Sequence, residues 1–211
     1  LIENEKLCLF LTGPSISEII TIALTDLRKL KGIQSKKYKR RNLTRPFEDI
    51  TSLEFFSDKN DASLAIYGSH NKKRKHNLVL MRFFNYQILD MLELGIDYNT
   101  FININALSAN RKAIARFGGK PMFIFQGDKF DIDEKYILFK SLILDLYHGE
   151  NTNYINLAGL DRVIMCSIIP TNGNISFRHY AVKMKRSDTR FPNVELDEIG
   201  PRIDFIVRRI S

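Results

Sequence analysis

The sequence has no tryptophan, two cysteines, six prolines and no apolar run near the roughly 20 residues that span a bilayer. The missing run argues against a transmembrane helix, and no signal-peptide pattern opens the chain. Leu1 stands where an initiator Met would, so the chain reads as a trimmed piece. Two cysteines make no disulfide framework: Cys8 and Cys166 both lie inside apolar runs, where reduced core thiols belong. Metal-ligand spacing is missing as well. His70, His76, His148 and His179 share none with either cysteine, and His70 and His76 bracket a cationic loop that would repel a metal ion. Gly13-Pro14-Ser15 lacks the second Gly and the Lys of a phosphate-binding loop, and no Gly-x-Ser-x-Gly elbow occurs. Asp131, Asp133 and Glu134 read as an acidic helix start rather than as metal ligands. The sequence therefore points to no catalytic residue, no metal and no cofactor.

Positive charge is what the chain has in excess. Lys and Arg number 32 against 24 Asp and Glu, for a net charge of +8 and a pI near 9.4. With 44% hydrophobic residues the composition is that of an ordinary globular protein, so the excess charge speaks to partners. Nucleic acid is the first expectation and an anionic membrane surface the second.

Along the chain, Lys6 to Gly13 ("KLCLFLTG") reads as a buried strand. Ser15 to Glu18 has the spacing of a capping box, and Ile16, Ile19, Ile20, Ala23, Leu24, Leu27 and Leu30 recur at three and four as one helix face closed by Gly32. The stretch "QSKKYKRRNLTRP" reads as an exposed loop. A short helix follows with Leu53 and Phe56 inward, then the strands "ASLAIYG" and "NLVLMRFF", then "YQILDMLELG" as a further short helix ending at Gly95. After an Asn-rich, basic and Gly-Gly segment the opening pattern returns. "PMFIFQG" parallels "LCLFLTG", Tyr136, Phe139, Leu142, Ile143, Leu146 and Tyr147 form a helix face, and Gly149 closes it. The strands "RVIMCSII" and "ISFRHYAVKM" come next. The order strand, helix, strand, strand thus occurs twice. It predicts an α/β protein of two similar half-domains, each a small mixed sheet with packed helices, over 1–97 and 121–211 with a linker or insert at 98–120.

The cations fall into blocks. Lys36, Lys37, Lys39, Arg40, Arg41 and Arg45 form one, and Lys72, Lys73, Arg74 and Lys75, followed by His76, form another. A charge run is commonly only a solvated face. Several basic loops on one body can instead follow a phosphate backbone and gain affinity by counterion release. Tyr38, His70 and His76 offer rings for stacking on unpaired bases. Lys183, Lys185, Arg186 and Arg190 are secondary candidates for RNA. The last segments, "NVELDEI" and "RIDFIVRRI", read as a terminal hairpin. An edge position there would offer Ile203, Phe205, Val207 and Arg208 to a partner protein that adds a strand.

Residues 45–96, "RPFEDITSLEFFSDKNDASLAIYGSHNKKRKHNLVLMRFFNYQILDMLELGI", together with "INLAGLDRVI" and "ISFRHYAVKMKRSDTRFPNVELDEIGPRIDFIVRR", resemble the Brix-domain family along nearly the whole chain. Between Tyr98 and Gly119, where relatives are usually shorter, this chain carries an Asn-rich insert ending "NRKAIARFGG". The resemblance implies a Brix fold of two α/β halves and a non-enzymatic, nucleolar or nuclear factor in assembly of the large ribosomal subunit and processing of its RNA. It also implies partners: 5S and large-subunit ribosomal RNA, the ribosomal proteins bound to 5S RNA, and the regulator of ribosome synthesis protein as heterodimer partner. The other reading is a protein-interaction scaffold in the pre-ribosome with only non-specific RNA contact.

Overall fold

A computed structural model describes residues 5–108, 120–149, 154, 159–188 and 192–211. Strand β1 (Cys8–Thr12) is apolar on both faces and buried on both. Helix α1 (Glu18–Lys31) starts at Ser17, whose hydroxyl accepts the Ile20 amide, and ends at Gly32 with φ 75°. The cap is therefore Ser17 and not Ser15, two residues later than the capping-box spacing suggests. Strand β2 (Ser35–Lys37) pairs with β1, so the basic stretch read as a loop begins as an edge strand. Helix α2 (Thr51–Asn60) buries Leu53, as expected, and leads into strands β3 (Leu64–Ser69) and β4 (Asn77–Phe84).

Residues read as a short helix form instead strand β5 (Gln87–Ile96). Asn85 and Tyr86 both take positive φ, 49° and 65°, in the two-residue turn whose twist suits a hairpin, and Phe84 then faces Gln87. Apolar residues at 88, 91, 92 and 94 fit helix or strand spacing. Ladders on both sides of β5 decide for strand.

The rest of the chain supplies α3 (Ile104–Ser108), β6 (Met122–Gln126), α4 (Lys129–Ile132), α5 (Glu134–Tyr147), β7 (Arg162–Ile168), β8 (Ile175–Lys185), β9 (Asn193–Glu198) and β10 (Ile203–Ile210). The Asp133 side chain accepts the Lys135 amide at the start of α5, and the Asp131 carboxylate pairs with Lys140 at 2.7 Å. Those acids serve the helix start.

The expected repeat is present in the ladders. β1 runs parallel to β3, which is antiparallel to β4; β6 runs parallel to β7, which is antiparallel to β8. Helices α1 and α5 cover the same face, and Ile20, Leu24 and Leu27 share one core with Phe139, Leu142 and Ile143. The opposite face of the first half is closed by α2, with Leu53, Phe56 and Tyr38 over Leu9, Val79 and Met81.

Instead of two separate small sheets, one ten-stranded sheet runs β2-β1-β3-β4-β5-β10-β8-β7-β6, with β9 on β8. The terminal segments are not a hairpin with each other. β10 lies in the middle, opposing Ile96 and Leu94 of β5 through Phe205 and Val207 and also pairing with Ile175 and Phe177 of β8. This corrects the edge position predicted for Ile203 and Phe205; Val207 and Arg208 lie beyond the β8 ladder and pair through their strand with β5. Ile203 and Phe205 are 0% and 2% exposed, and both edges of their strand are already hydrogen-bonded. Of the linker, residues 109–119 lie outside the described residues. Before them Ile102 bridges to Arg202, and the Ile104 amide donates to the buried Asp26 carboxylate at 2.9 Å.

Both cysteines are buried and unpaired, and burial pushes the Cys8 thiol up to about 12. His179 is fully buried, with its Nδ1–H donating to Gly200 O at 2.8 Å, and burial lowers its pKa to about 4. The unfolded chain binds this proton near pH 6.5 and the folded chain only near pH 4, so stability should fall as pH drops through that window. The loss is of order 3 kcal/mol. Urea denaturation at pH 7 and pH 4.5 should show it, and His179→Gln should flatten the dependence. Because β10 joins the halves, Phe205→Ala should cost about 3–5 kcal/mol and lower one shared unfolding transition, seen by calorimetry.

Candidate nucleic-acid interface

The loop between β3 and β4 carries the second basic block. Asn71 closes its tip: the side chain accepts the Arg74 amide at 2.6 Å and the Asn71 amide donates to Arg74 O at 3.2 Å. Lys72, Lys73, Arg74 and Lys75 are exposed. Arg208 fastens the loop base by donating to Lys75 O at 2.7 Å and to Asn77 Oδ1. Gly95 makes room for it, since a Cβ there would lie 2.5 Å from the Arg208 guanidinium. Arg208, predicted for a partner, thus holds the chain's own loop.

The rings predicted for base stacking are otherwise engaged. His76 has φ 46°, shares a 2.9 Å hydrogen bond with Ser17 Oγ and packs between His70 (4.8 Å) and Tyr98 (6.0 Å). Burial, reinforced by His70, Lys75 and Arg208, lowers its pKa below the ordinary imidazole value, which disfavours the charged ring. His70 Nδ1 accepts the His76 amide. Tyr38 packs on Phe56 at 4.9 Å, and its hydroxyl accepts from Asn60 at 2.6 Å.

The first block is spread over more ground than one loop. Lys36 and Lys37 ride on β2, with Lys36 donating to Asn60 at 2.6 Å. Lys39 and Arg40 are exposed. Arg41 turns back to donate to Pro14 O at 3.1 Å, and Arg45 pairs with the exposed Glu48 at 2.8 Å.

Of the first block only Arg45 meets the second, at a cleft of about 780 Å³ between residues 43–48 and 69–74; Lys36, Lys37, Lys39, Arg40 and Arg41, like Lys75 and His76, do not line it. Arg45 lines one wall, Lys72, Lys73 and Arg74 the other, and Arg209 of β10 contributes from the sheet. These five cations stand against two carboxylates in the lining, Glu48 and Glu93. Glu93 is 2% exposed; it accepts from Arg209 Nε at 2.8 Å and Asn77 Nδ2 at 3.1 Å, with Arg74 at 3.8 Å. The Arg209 guanidinium lies 3.8 Å from the centre of the Phe47 ring. Arg209 stands in the sequence as a further cation beside Arg202 and Arg208 but is not among the predicted site residues, and neither are Glu93 and Phe47. Val207 and Ile210 both pack on the main core although three residues apart, and that break in alternation, a bulge, is the one signal that could have located Arg209.

The secondary cluster does not join the cleft. Lys183 pairs with Asp197, Lys185 pairs with Glu195 at 2.7 Å, and Arg186 is exposed on the same β8–β9 ribbon. Arg190 lies outside the described residues. Among the described residues no three His, Cys, Asp or Glu side chains are grouped to hold a metal ion, and no helix is long and apolar enough to cross a membrane.

Fold and cleft together define a mixed α/β protein of repeated halves fused through one sheet, with a cationic groove formed by loops of the first half and Arg209 of β10. The chain belongs to the Brix-domain family, whose Brix domain model matches residues 13–209. It is 44% identical over 207 residues to the human protein named ribosome production factor 2 homolog, covering 98% of this chain and 65% of that one. It is 42% identical over 218 residues to the Schizosaccharomyces pombe protein of the same name, covering 100% of this chain and 67% of that one. The chain thus spans about 65% of the length of the human relative. A probable ribosomal biogenesis protein from Aeropyrum pernix K1 has the same fold, with a TM-score of 0.55 at 9% identity over 95% of each chain.

Replacing Arg208 by Ala removes two hydrogen bonds from a charged donor to the loop base. The expected loss is about 2–4 kcal/mol in denaturant melts, with faster amide exchange confined first to residues 74–77.

Proposed function

We propose that this chain is a ribosome-assembly factor that binds ribosomal RNA and acts by positioning, without chemistry of its own. The observation that carries the reading is the meeting of Arg45 with Lys72, Lys73 and Arg74 in one cleft. Lys72 and Lys73 have no carboxylate within salt-bridge distance among the described residues, so their charge is available to phosphate. The names of the similar proteins, ribosome production factors, supply the setting. In that setting the partners are 5S and large-subunit ribosomal RNA, the 5S-bound ribosomal proteins and the regulator of ribosome synthesis protein, met in the nucleolus during recruitment of the 5S particle to the large-subunit precursor. The buried faces of Ile203 and Phe205 leave partner binding to other surfaces.

One observation favours the second reading, a protein scaffold with non-specific RNA contact. Arg45, Lys183 and Lys185 each have a carboxylate partner within the chain, which lowers the charge they offer outward.

Changing Lys72, Lys73, Arg74 and Lys75 together to Ala separates the two. On the RNA reading, affinity for 5S RNA falls and the log-log salt slope becomes shallower by roughly 0.7 to 0.9 for each phosphate that is no longer neutralised. Affinity and slope equal to those of the native protein, measured by filter binding across a salt series, would exclude the loop from the RNA interface.

A further inference from the structure

Arg209 differs from the other cations of the cleft. Its Nε donates to the buried Glu93 carboxylate at 2.8 Å, and its guanidinium carbon lies over the Phe47 ring, 3.8 Å from the ring centre. The side chain is nevertheless 50% exposed. Guanidinium is planar, weakly hydrated and suited to stacking. Here one face is covered by an aromatic ring, one edge is fixed by a carboxylate, and the remaining surface opens towards the cleft. An arginine that served as a phosphate clamp would present its donors outward; Arg209 commits Nε inward and has part of its charge offset by Glu93.

The lining also sorts ligands by polarity. The ammonium groups of Lys72 and Lys73, with no carboxylate within salt-bridge distance among the described residues, are exposed at the loop tip, while the charge of Arg209 is partly offset by the buried Glu93 carboxylate, so the pull on a phosphate is weaker there than at the two lysines. We propose that the Phe47–Arg209 pair is a stacking platform for one unpaired base of an RNA strand, whose flanking phosphates are held by Lys72 and Lys73. A base within a duplex is already stacked and cannot reach such a platform, so the cleft selects single-stranded or looped RNA. This rests on the RNA-binding reading and adds the part of the RNA that enters.

The test compares three fluorescent probes of about ten nucleotides, a length in the range of single-strand binding sites. They are oligouridylate, a ribose-phosphate oligomer without bases, and an RNA duplex, at the same salt. Oligouridylate should bind the protein about tenfold tighter than the base-free oligomer and tighter than the duplex. Arg209→Lys keeps the charge and removes the plane. It should leave the salt slope unchanged and bring the ratio of oligouridylate to base-free affinity close to one. Phe47→Leu, which removes only the support beneath the plane, should reduce the same ratio. Equal affinity of the native protein for the base-free oligomer would overturn the platform while leaving RNA binding through phosphates intact. So would a ratio in Arg209→Lys equal to the native one. Displacement of oligouridylate by free uridine monophosphate near the oligomer's Kd would mark a mononucleotide site and also overturn it. Salt-independent, weak binding of all three probes would instead remove the RNA reading itself.

Discussion

The pairing of the last strand with both halves is the constraint on which the rest of the structure depends. β10 hydrogen-bonds to β5 on one side and β8 on the other, and its Phe205 packs against Phe139 and Phe177 of the second half at 5.7 and 6.0 Å. The two halves join in one sheet only through this strand, which lies between β5 and β8. Side-chain ion pairs run the same way: Arg82 of β4 reaches Asp145 of α5 at 2.6 Å, and Lys6 reaches the same carboxylate at 2.7 Å. A partly shielded carboxylate with two cations retains more Coulomb energy than a fully exposed pair would.

That constraint also places the cleft. Arg208 and Arg209 arrive at the β3–β4 loop only because β10 docks beside β5, and the bulge after Val207 turns them off the main core. Glu93 then faces two arginines from distant parts of the chain, Arg74 and Arg209. A buried carboxylate without cations would be strongly destabilising, and arginines packed this closely without it would repel. The arrangement fixes the loop while leaving Lys72 and Lys73 outside the exchange. The four consecutive cations therefore divide: Arg74 is drawn towards the sheet, Lys75 lends its carbonyl to Arg208, and the first two have no carboxylate within salt-bridge distance among the described residues.

The fold was legible where local pattern and burial agree. The α1 face, the β6–α5 echo and the apolar strands are set by periodicities of 3.6 and 2 that the core then enforces. The sequence misled at β5 and β10, and for related reasons. Gln87 to Gly95 has spacing compatible with either period, and only neighbouring ladders choose between them. The half-polar look of β10 comes from residues that serve neighbours in the sheet, such as Asp204 pairing with Arg178 at 2.7 Å, rather than from an open edge. For the site, the loop cations were visible as runs. Arg209 was visible only as half of the Arg208–Arg209 pair, and Glu93 and Phe47 not at all, because only the tertiary fold brings the three together. Tyr38 and His76 have packing roles that the sequence did not show, since an aromatic ring beside cations in sequence is as easily placed against its own fold.

The cleft draws its walls from residues near 14, 45, 70, 93 and 209, so it exists only after the first and last strands are both in the sheet. A ligand that needs all of these walls binds the folded, fully zipped chain and not one with β10 undocked, and by mass action it stabilises the zipped state. The lysines of the loop tip alone need no such closure, since an exposed hairpin tip keeps its charge when β10 is free. Anion attraction can therefore precede closure of the sheet, whereas the Arg209 plane and its Phe47 support require it. On the proposed RNA reading, encounter and recognition fall to different residues of one cleft: long-range charge at the tip would draw a strand in, and the Phe47–Arg209 surface is complete only when β10 is paired with β5.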